Sequence, residues 1–279
     1  MNGASTATAG KFSSLYYFRH LTGALLFFMA LAALRIFLNS SGLSSNLSLM
    51  EEPPSWAHPF GTDSLGRDML IRTVYGIIVS LKVGLMAATL SAVIALMLGL
   101  AGAIFGRWVD LAVTWMVDSA MALPHMVLLI LISFAVGGGE KGVMLAVALS
   151  HWPSLTRVLR AEALQLKSAP YVILAGKMGQ SPWRIATGHF LPHMVPQFLI
   201  GLLLLFPHAI LHEAALSFLG FGLNPHTPAV GILLAESMQH LSTGCWWLGV
   251  LPGLLLLLTV KMFDIVGAGV KKYFTPYKD

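Results

Sequence analysis

Long, nearly uninterrupted apolar runs are separated by short polar segments, a spacing that belongs to membrane helices rather than to soluble ones. Six runs read as spans: Leu21–Leu38, Val83–Phe105, Leu111–Val136, Gly142–Leu155, Phe190–Leu211 and Trp246–Ile265. About 20 apolar residues are needed to cross a hydrocarbon core of about 30 Å. Val83–Phe105 meets this cleanly. Leu111–Val136 is longer and carries Asp118 and Pro124. Gly142–Leu155 is shorter and runs into a polar helical extension with Arg157, Arg160 and Glu162. Arg35 lies near one end of the first span, where its stem can stay in the apolar layer while the guanidinium reaches the headgroups. That first span is too long for a signal-peptide core and no clean small-x-small cleavage site follows it, so it is read as an anchor. The expected fold is an all-α integral membrane protein of six transmembrane helices.

Composition agrees. The chain is 56% hydrophobic and 10% charged with a mean hydropathy of +0.76, against roughly a quarter charged in soluble domains. The single Cys245 rules out an intrachain disulfide framework and a cysteine zinc cluster. The net charge of +5 is explained by loop asymmetry better than by nucleic-acid binding. With the N-terminus inside, the inner segments hold Lys11, Arg19, Arg107, Arg157, Arg160, Lys167, Lys177, Arg184, Lys271, Lys272 and Lys278, eleven in all. The outer segments hold Arg35, Arg67, Arg72 and Lys141, four in all; Lys82 and Lys261 fall in or beside spans. Positive-inside bias therefore places both termini in the cytoplasm.

One polar island, Tyr171–Pro192 (YVILAGKMGQSPWRIATGHFLP), then lies on the cytoplasmic side. Pro170 suits a first helical turn, Tyr171–Met178 is long enough for about two turns, and Gly179 can end the helix with a positive φ. Pro182 prevents simple continuation and Pro192 opens the next membrane segment. Gly179, nine residues, then a three-residue step to Leu191-Pro192 resembles the coupling loop of ATP-binding-cassette (ABC) importer permeases. Ile173-Leu174-Ala175 stands where that pattern has Glu-Ala-Ala, and His189 where it has Ile.

Three further segments carry the resemblance. HPFGTDSLGRDMLIR (His58–Arg72) reads as a tight turn followed by a capped, charge-laced helix. HEAALSFLGFGLNPHTPAVGILLAES (His212–Ser237) and FDIVGAGVKKYFTP (Phe263–Pro276) follow in order. All four resemble the second permease subunit of dipeptide, oligopeptide and nickel importers. The resemblance implies a type I ABC importer permease bundle in the bacterial inner membrane. It implies a homologous second permease, two ABC ATPase subunits and an extracytoplasmic solute-binding protein as partners, with membrane lipid around them. It also divides the chain: a cytoplasmic N-terminal segment at 1–20, an anchor at 21–38, an extracytoplasmic loop at 39–82, a permease core at 83–267 with a cytoplasmic coupling loop at 165–189, and a cytoplasmic tail at 268–279. Tyr171, Ala175, Gly179, Leu191 and Pro192 become the coupling residues.

Bland readings stand beside these. GTDSLGRD is either a turn sealing the outer end of the bundle or a solute contact, and LSFLGFG is a re-entrant or interfacial segment whose glycines allow close packing. Gly102 and Gly106 read as a helix-packing pair.

Ionisable residues inside spans cost about 2.5–3.5 kcal/mol at the bilayer centre, so Asp118 and Glu213 are candidates for the translocation path. Lys261 and Asp264 are spaced to pair on one helical face. His208 and His212 are likewise four apart on one face. They are either interfacial histidines or two ligands of a metal site that needs a third, with His226 or His240 as possible contributors. No phosphate loop occurs: GGGEKG at Gly137 and GAGVKK at Gly267 lack its spacing. ATP and magnesium would therefore bind on partner subunits, with no cofactor in this chain and no catalytic cluster. The expected function is the translocation path for nickel or another metal ion or chelate. The alternative is the same role for dipeptides or oligopeptides, and the alternative class is an ion-coupled secondary transporter.

Overall fold

A computed structural model describes residues 4–38 and 40–274. Lys278 and the end of the C-terminal motif, Thr275 and Pro276, lie outside the described residues, as do residues 1–3 and the side chains of Lys11 and Arg19. The regular elements among the described residues are all helices, joined by turns and irregular segments, with one isolated β-bridge, Thr62 to Asp68. The helices are α1 (Ala4–Phe37), α2 (Met69–Ile104), α3 (Arg107–Ala122), α4 (His125–Ala135), α5 (Gly139–Lys167), α6 (Pro170–Lys177), α7 (Pro182–Ile185), α8 (Leu191–Phe218), α9 (Val230–Met238) and α10 (Trp247–Phe274). The chain divides into two compact units, residues 1–80 with 225–279, and residues 81–224.

Six spans are not reached. Among the described residues four helices are long and apolar enough to cross a membrane, or five if a bent pair counts as one span. The run Leu111–Val136 is not one helix: it breaks at Leu123-Pro124, and α3 and α4 meet at 97°. The cause is local. Proline disfavours helical backbone in the residue before it, and Leu123 is extended at φ −83°, ψ 141°. The run Gly142–Leu155 belongs to α5, which is long enough at 29 residues but too polar to qualify by composition. The physical reason is its position. Ser150, His151 and Thr156 are buried among other helices rather than turned to lipid. The segment 39–82, expected to be an extracytoplasmic loop, is partly helix, because α2 begins at Met69. Gly106 is not a packing partner of Gly102 on α2: it lies past the end of that helix and caps α3 with φ 93°.

In the first unit, α10 packs against α1 and α9. Phe28 and Phe263 stack with ring centres 4.3 Å apart, and Arg35 lies 3.8 Å over the Tyr75 ring. The GTDSLGRD motif folds around the Asp63 carboxylate. It accepts hydrogen bonds from the backbone N–H of Leu65 (2.8 Å) and Arg67 (2.9 Å), from Arg67 Nε (2.7 Å) and from Arg72 Nη1 (2.6 Å). Arg72 Nη2 reaches Glu236 of α9 at 2.9 Å. Asp68 caps α2 by accepting from Ile71 N at 3.0 Å, and its second oxygen pairs with His58 at 2.8 Å. Gly66 at φ 69° is required, since a Cβ there would lie 1.8 Å from the Asn46 carbonyl oxygen.

In the second unit α5 is central and contacts α3, α4, α6 and α8. Its Trp152, Leu155, Leu159, Ala163 and Leu166 join Ala92, Ala95 and Ala103 of α2 and Phe190 and Met194 beside or within α8. The alanines keep α2 thin enough for close helix approach, the usual basis of packing in a bilayer.

Asp63 and Arg72 are both buried, so removing one strands the other. Asp63→Ala is expected to destabilise the chain by about 3–5 kcal/mol, with Asp68→Asn costing less. Thermal melting of the purified membrane protein checks the order.

Candidate functional site

The polar island Tyr171–Pro192 is built from two capped helical pieces. Ala169 is the N-cap of α6, and Pro170 occupies its first turn. At the far end Gln180 N donates to the Ala175 carbonyl (3.2 Å) and Gly179 N to the Gly176 carbonyl (3.0 Å). Those two bonds close the helix in a Schellman motif, which needs a left-handed residue, and Gly179 supplies it at φ 82°. Ser181 then caps α7 by accepting from Arg184 N at 3.3 Å, with Pro182 in the first turn. A π-helical stretch, Ala186–Phe190, leads into α8.

The faces of α6 are distinct. Val172 and Ala175 are buried against their own chain, while Tyr171, Ile173, Leu174 and Met178 are exposed. Leu191 and Pro192 are exposed at the start of α8. Behind the helix lies a cavity of about 240 Å³, lined by Ala103, Lys167, Val172, Ile185 and Phe190 among others. Lys167 Nζ donates to the Ala103 carbonyl at 2.7 Å, which ties the end of α5 to the end of α2. The exposed trio Ile173, Leu174 and Met178 carried no motif signal, because two of them occupy the Glu-Ala-Ala positions with apolar side chains. Their exposure on a helix otherwise anchored to its own chain is what marks them.

The other candidates separate. Asp118 is exposed on α3 and pairs with Arg157 of α5 at 2.6 Å. One helical turn further along α5, Arg160 holds Asp110 of α3 through two guanidinium nitrogens, Nε at 2.5 Å and Nη2 at 2.7 Å. Glu213 is fully buried and accepts from Ser217 Oγ at 2.8 Å, while Ser217 Oγ accepts from Leu223 N at 3.1 Å. These bonds, with Phe221 N donating to the Leu216 carbonyl and Gly220 at φ 84°, fold the LSFLGFG segment back over the end of α8. No salt bridge joins Lys261 to Asp264, both exposed, among the described residues.

The histidines regroup. His212 does not form a pair with His208. Its ring instead meets His125, at the start of α4, and His151 of α5, with ring centres 4.6–4.8 Å apart. His208 stands outside this group, its Nδ1 donating to the Leu204 carbonyl at 2.9 Å. In the other unit His240 pairs with Glu51 at 3.0 Å, and His226 lines a cavity with Arg67, Arg72 and Glu236. Spacing along the chain could not expose the group, since its three members sit on three helices.

Within the 81–224 unit, then, helices pack around the polar α5, and α6 at its end carries an exposed apolar face. The chain belongs to the family of binding-protein-dependent transport system inner membrane components, whose model matches residues 92–272. A putative peptide transport system permease protein of Brucella suis is 35% identical over 238 residues, covering 85% of this chain and 80% of that protein. The dipeptide transport system permease protein DppC of Alkalihalophilus pseudofirmus is 32% identical over 85% of this chain and 78% of its own length. DppC of Bacillus subtilis is 30% identical over 90% of this chain and 79% of its own. This chain is a member of the same group of ABC importer permeases.

Gly201 of α8 faces Leu155 of α5 so closely that a Cβ would lie 2.3 Å from Leu155 Cδ1. Gly201→Val is expected to cost about 1–3 kcal/mol through overpacking. Leu155→Ala in the same chain should recover part of that loss, and a double-mutant cycle on melting temperatures measures the coupling.

Proposed function

We propose that this chain is one of the two membrane permeases of an ATP-driven importer for dipeptides or short oligopeptides. The observation that carries the reading is the close kinship with permeases named for peptides and dipeptides. Those names do not point to nickel, so of the two cargoes that the sequence motifs leave open the peptide is preferred here. Membership of a binding-protein-dependent transport family also favours an ATP-driven system over ion-coupled secondary transport.

In this reading the chain spans the bacterial inner membrane six times, with α5 as a span and the broken pair α3–α4 as another. Both termini are cytoplasmic. The partners are a homologous permease, two ATPase subunits that bind ATP and magnesium, and an extracytoplasmic solute-binding protein. The chain itself is not an enzyme. Helix α6 is the docking element. Tyr171, Ile173, Leu174 and Met178 present apolar surface to a groove on the ATPase, and Val172 and Ala175 key the helix to its own subunit. ATP binding closes the ATPase dimer, draws the two coupling helices together and opens the cavity outward; hydrolysis reverses this.

Uptake of a labelled dipeptide by cells carrying the complete transporter, with and without its binding protein, tests the function. Absence of peptide uptake by an assembled, ATP-hydrolysing complex would overturn the peptide reading.

The coupling role makes a separate prediction. Nothing lies within 4 Å of a Cβ placed on Gly179, so substitution there acts through φ 82° alone. Gly179→Val is expected to strain the helix end by about 1–2 kcal/mol. The protein should stay in the membrane while uptake is uncoupled from ATP hydrolysis or the ATPase is lost. Normal uptake with normal ATPase binding would contradict it.

Topology is checked by labelling. The native Cys245 is buried and should stay silent. Trp56→Cys is expected to react with an impermeant thiol reagent in intact cells, and Lys177→Cys only after the membrane is opened. Reaction of Lys177→Cys from outside would sink both the orientation and the docking role of α6.

A further inference from the structure

We propose that His125, His151 and His212 form a binding site for one borderline divalent cation of the nickel, cobalt or zinc class. The site lies within the 81–224 unit. The inference is independent of the cargo proposed above, since a cation site and a peptide path are separate properties.

The geometry comes first. One ring nitrogen from each histidine lies within 4.8 Å of the others. The three ring centres form a near-equilateral triangle of 4.6, 4.7 and 4.8 Å, with the planes turned 77–84° from one another. The three rings therefore meet edge to face around a common centre. A tetrahedral cation bound at about 2.0–2.1 Å from each nitrogen holds its ligands about 3.4 Å apart. Side-chain rotations of about 1 Å close the remaining gap.

Proton placement points the same way. His151 Nδ1 lies 2.9 Å from the Val147 carbonyl oxygen, and His212 Nδ1 lies 2.7 Å from the His208 carbonyl oxygen. A carbonyl only accepts, so both Nδ1 atoms carry the hydrogen and both Nε2 atoms keep a lone pair. Metal-ligating histidines are oriented by such outer hydrogen bonds as a rule. Here two of three rings are pre-set by the helix backbone, each through the residue four positions earlier.

The donor set gives the class. Three imidazoles without a carboxylate in the group suit nickel, cobalt, zinc or copper and not magnesium or calcium, which take oxygen ligands. His151 is buried and the other two are half-buried, so the fourth position is open to water or to a donor brought by a chelate. A cavity of about 310 Å³, lined by His151, Ser154, Gln197 and His208 among others, lies beside the group and is large enough for a hydrated ion or small chelate.

The test uses the complete transporter purified through a tag that contains no histidine. Equilibrium dialysis with nickel or zinc chloride is run beside the same metal presented as its free-histidine chelate. Cobalt serves as a spectroscopic probe, since few-coordinate cobalt gives intense visible bands. The expected result is one saturable equivalent per chain. His125→Gln and His212→Gln should each weaken binding at least tenfold and lose the cobalt bands, while His208→Gln changes neither. Saturation by the chloride assigns the site to a free cation, and saturation only by the chelate assigns it to a chelated one. No saturable binding by the wild-type complex in either arm overturns the proposal. So does loss in His208→Gln equal to that in His212→Gln, or wild-type binding in both other variants. Dipeptide uptake is scored separately: its absence would sink the proposed function and leave the cation result standing.

Discussion

The second unit depends on how closely α5 approaches α8. At Gly201 the Leu155 side chain occupies the space that a Cβ would take, with its Cδ1 2.3 Å from that position. A bilayer supplies little hydrophobic force between helices, so contact of this kind, van der Waals and close, is what holds them. Through it α5 can pair with Asp110 and Asp118 of α3 by its two arginines, turn His151 toward His212, and carry α6 at its own end. A polar helix such as α5 is stable there because its neighbours cover it.

The first unit solves a different problem, burying charge. Asp63 is nearly inaccessible, yet two arginines and two backbone amides satisfy it. Such a carboxylate acts as an organiser: it fixes the turn, the start of α2 and the link to Glu236 on α9 at once. The side chains of Thr62, Asp63, Arg67 and Asp68 in the GTDSLGRD motif are all engaged within the chain, which favours the sealing turn over a solute contact.

What could be read from the residues followed a physical divide. Apolar length revealed the anchor and the helices α2, α8 and α10. Turn chemistry revealed α6, because Pro170 and Gly179 act over neighbouring residues, and it revealed a capped helix after the turn in His58–Arg72, whose cap is Asp68. The kink at Pro124 was present as a letter, yet apolarity on both sides of it suggested one continuous helix. Long-range meetings were not legible at all. His125, His151 and His212 are brought together only by packing of three helices, and the pair read from local spacing, His208 with His212, is split because the His212 ring meets rings on two other helices while His208 lies outside that group. Glu213 likewise showed only as an acid in an apolar run; its bond to Ser217 places it in the fold-back at the end of α8.

The break at Leu123-Pro124 bears on how this segment is held. Helix α3 has 16 residues and α4 has 11, each short of the roughly 20 that hold a helix across a bilayer by hydrophobicity alone. Neither half can settle in lipid as a self-sufficient stop, and the carbonyls and amides freed by the bend must not face hydrocarbon. The two halves are held instead by α5, whose Gly142 lies against Ser133 of α4 and whose arginines clamp α3. For α3 and α4, packing against a helix that follows them in the chain takes the place of apolar length.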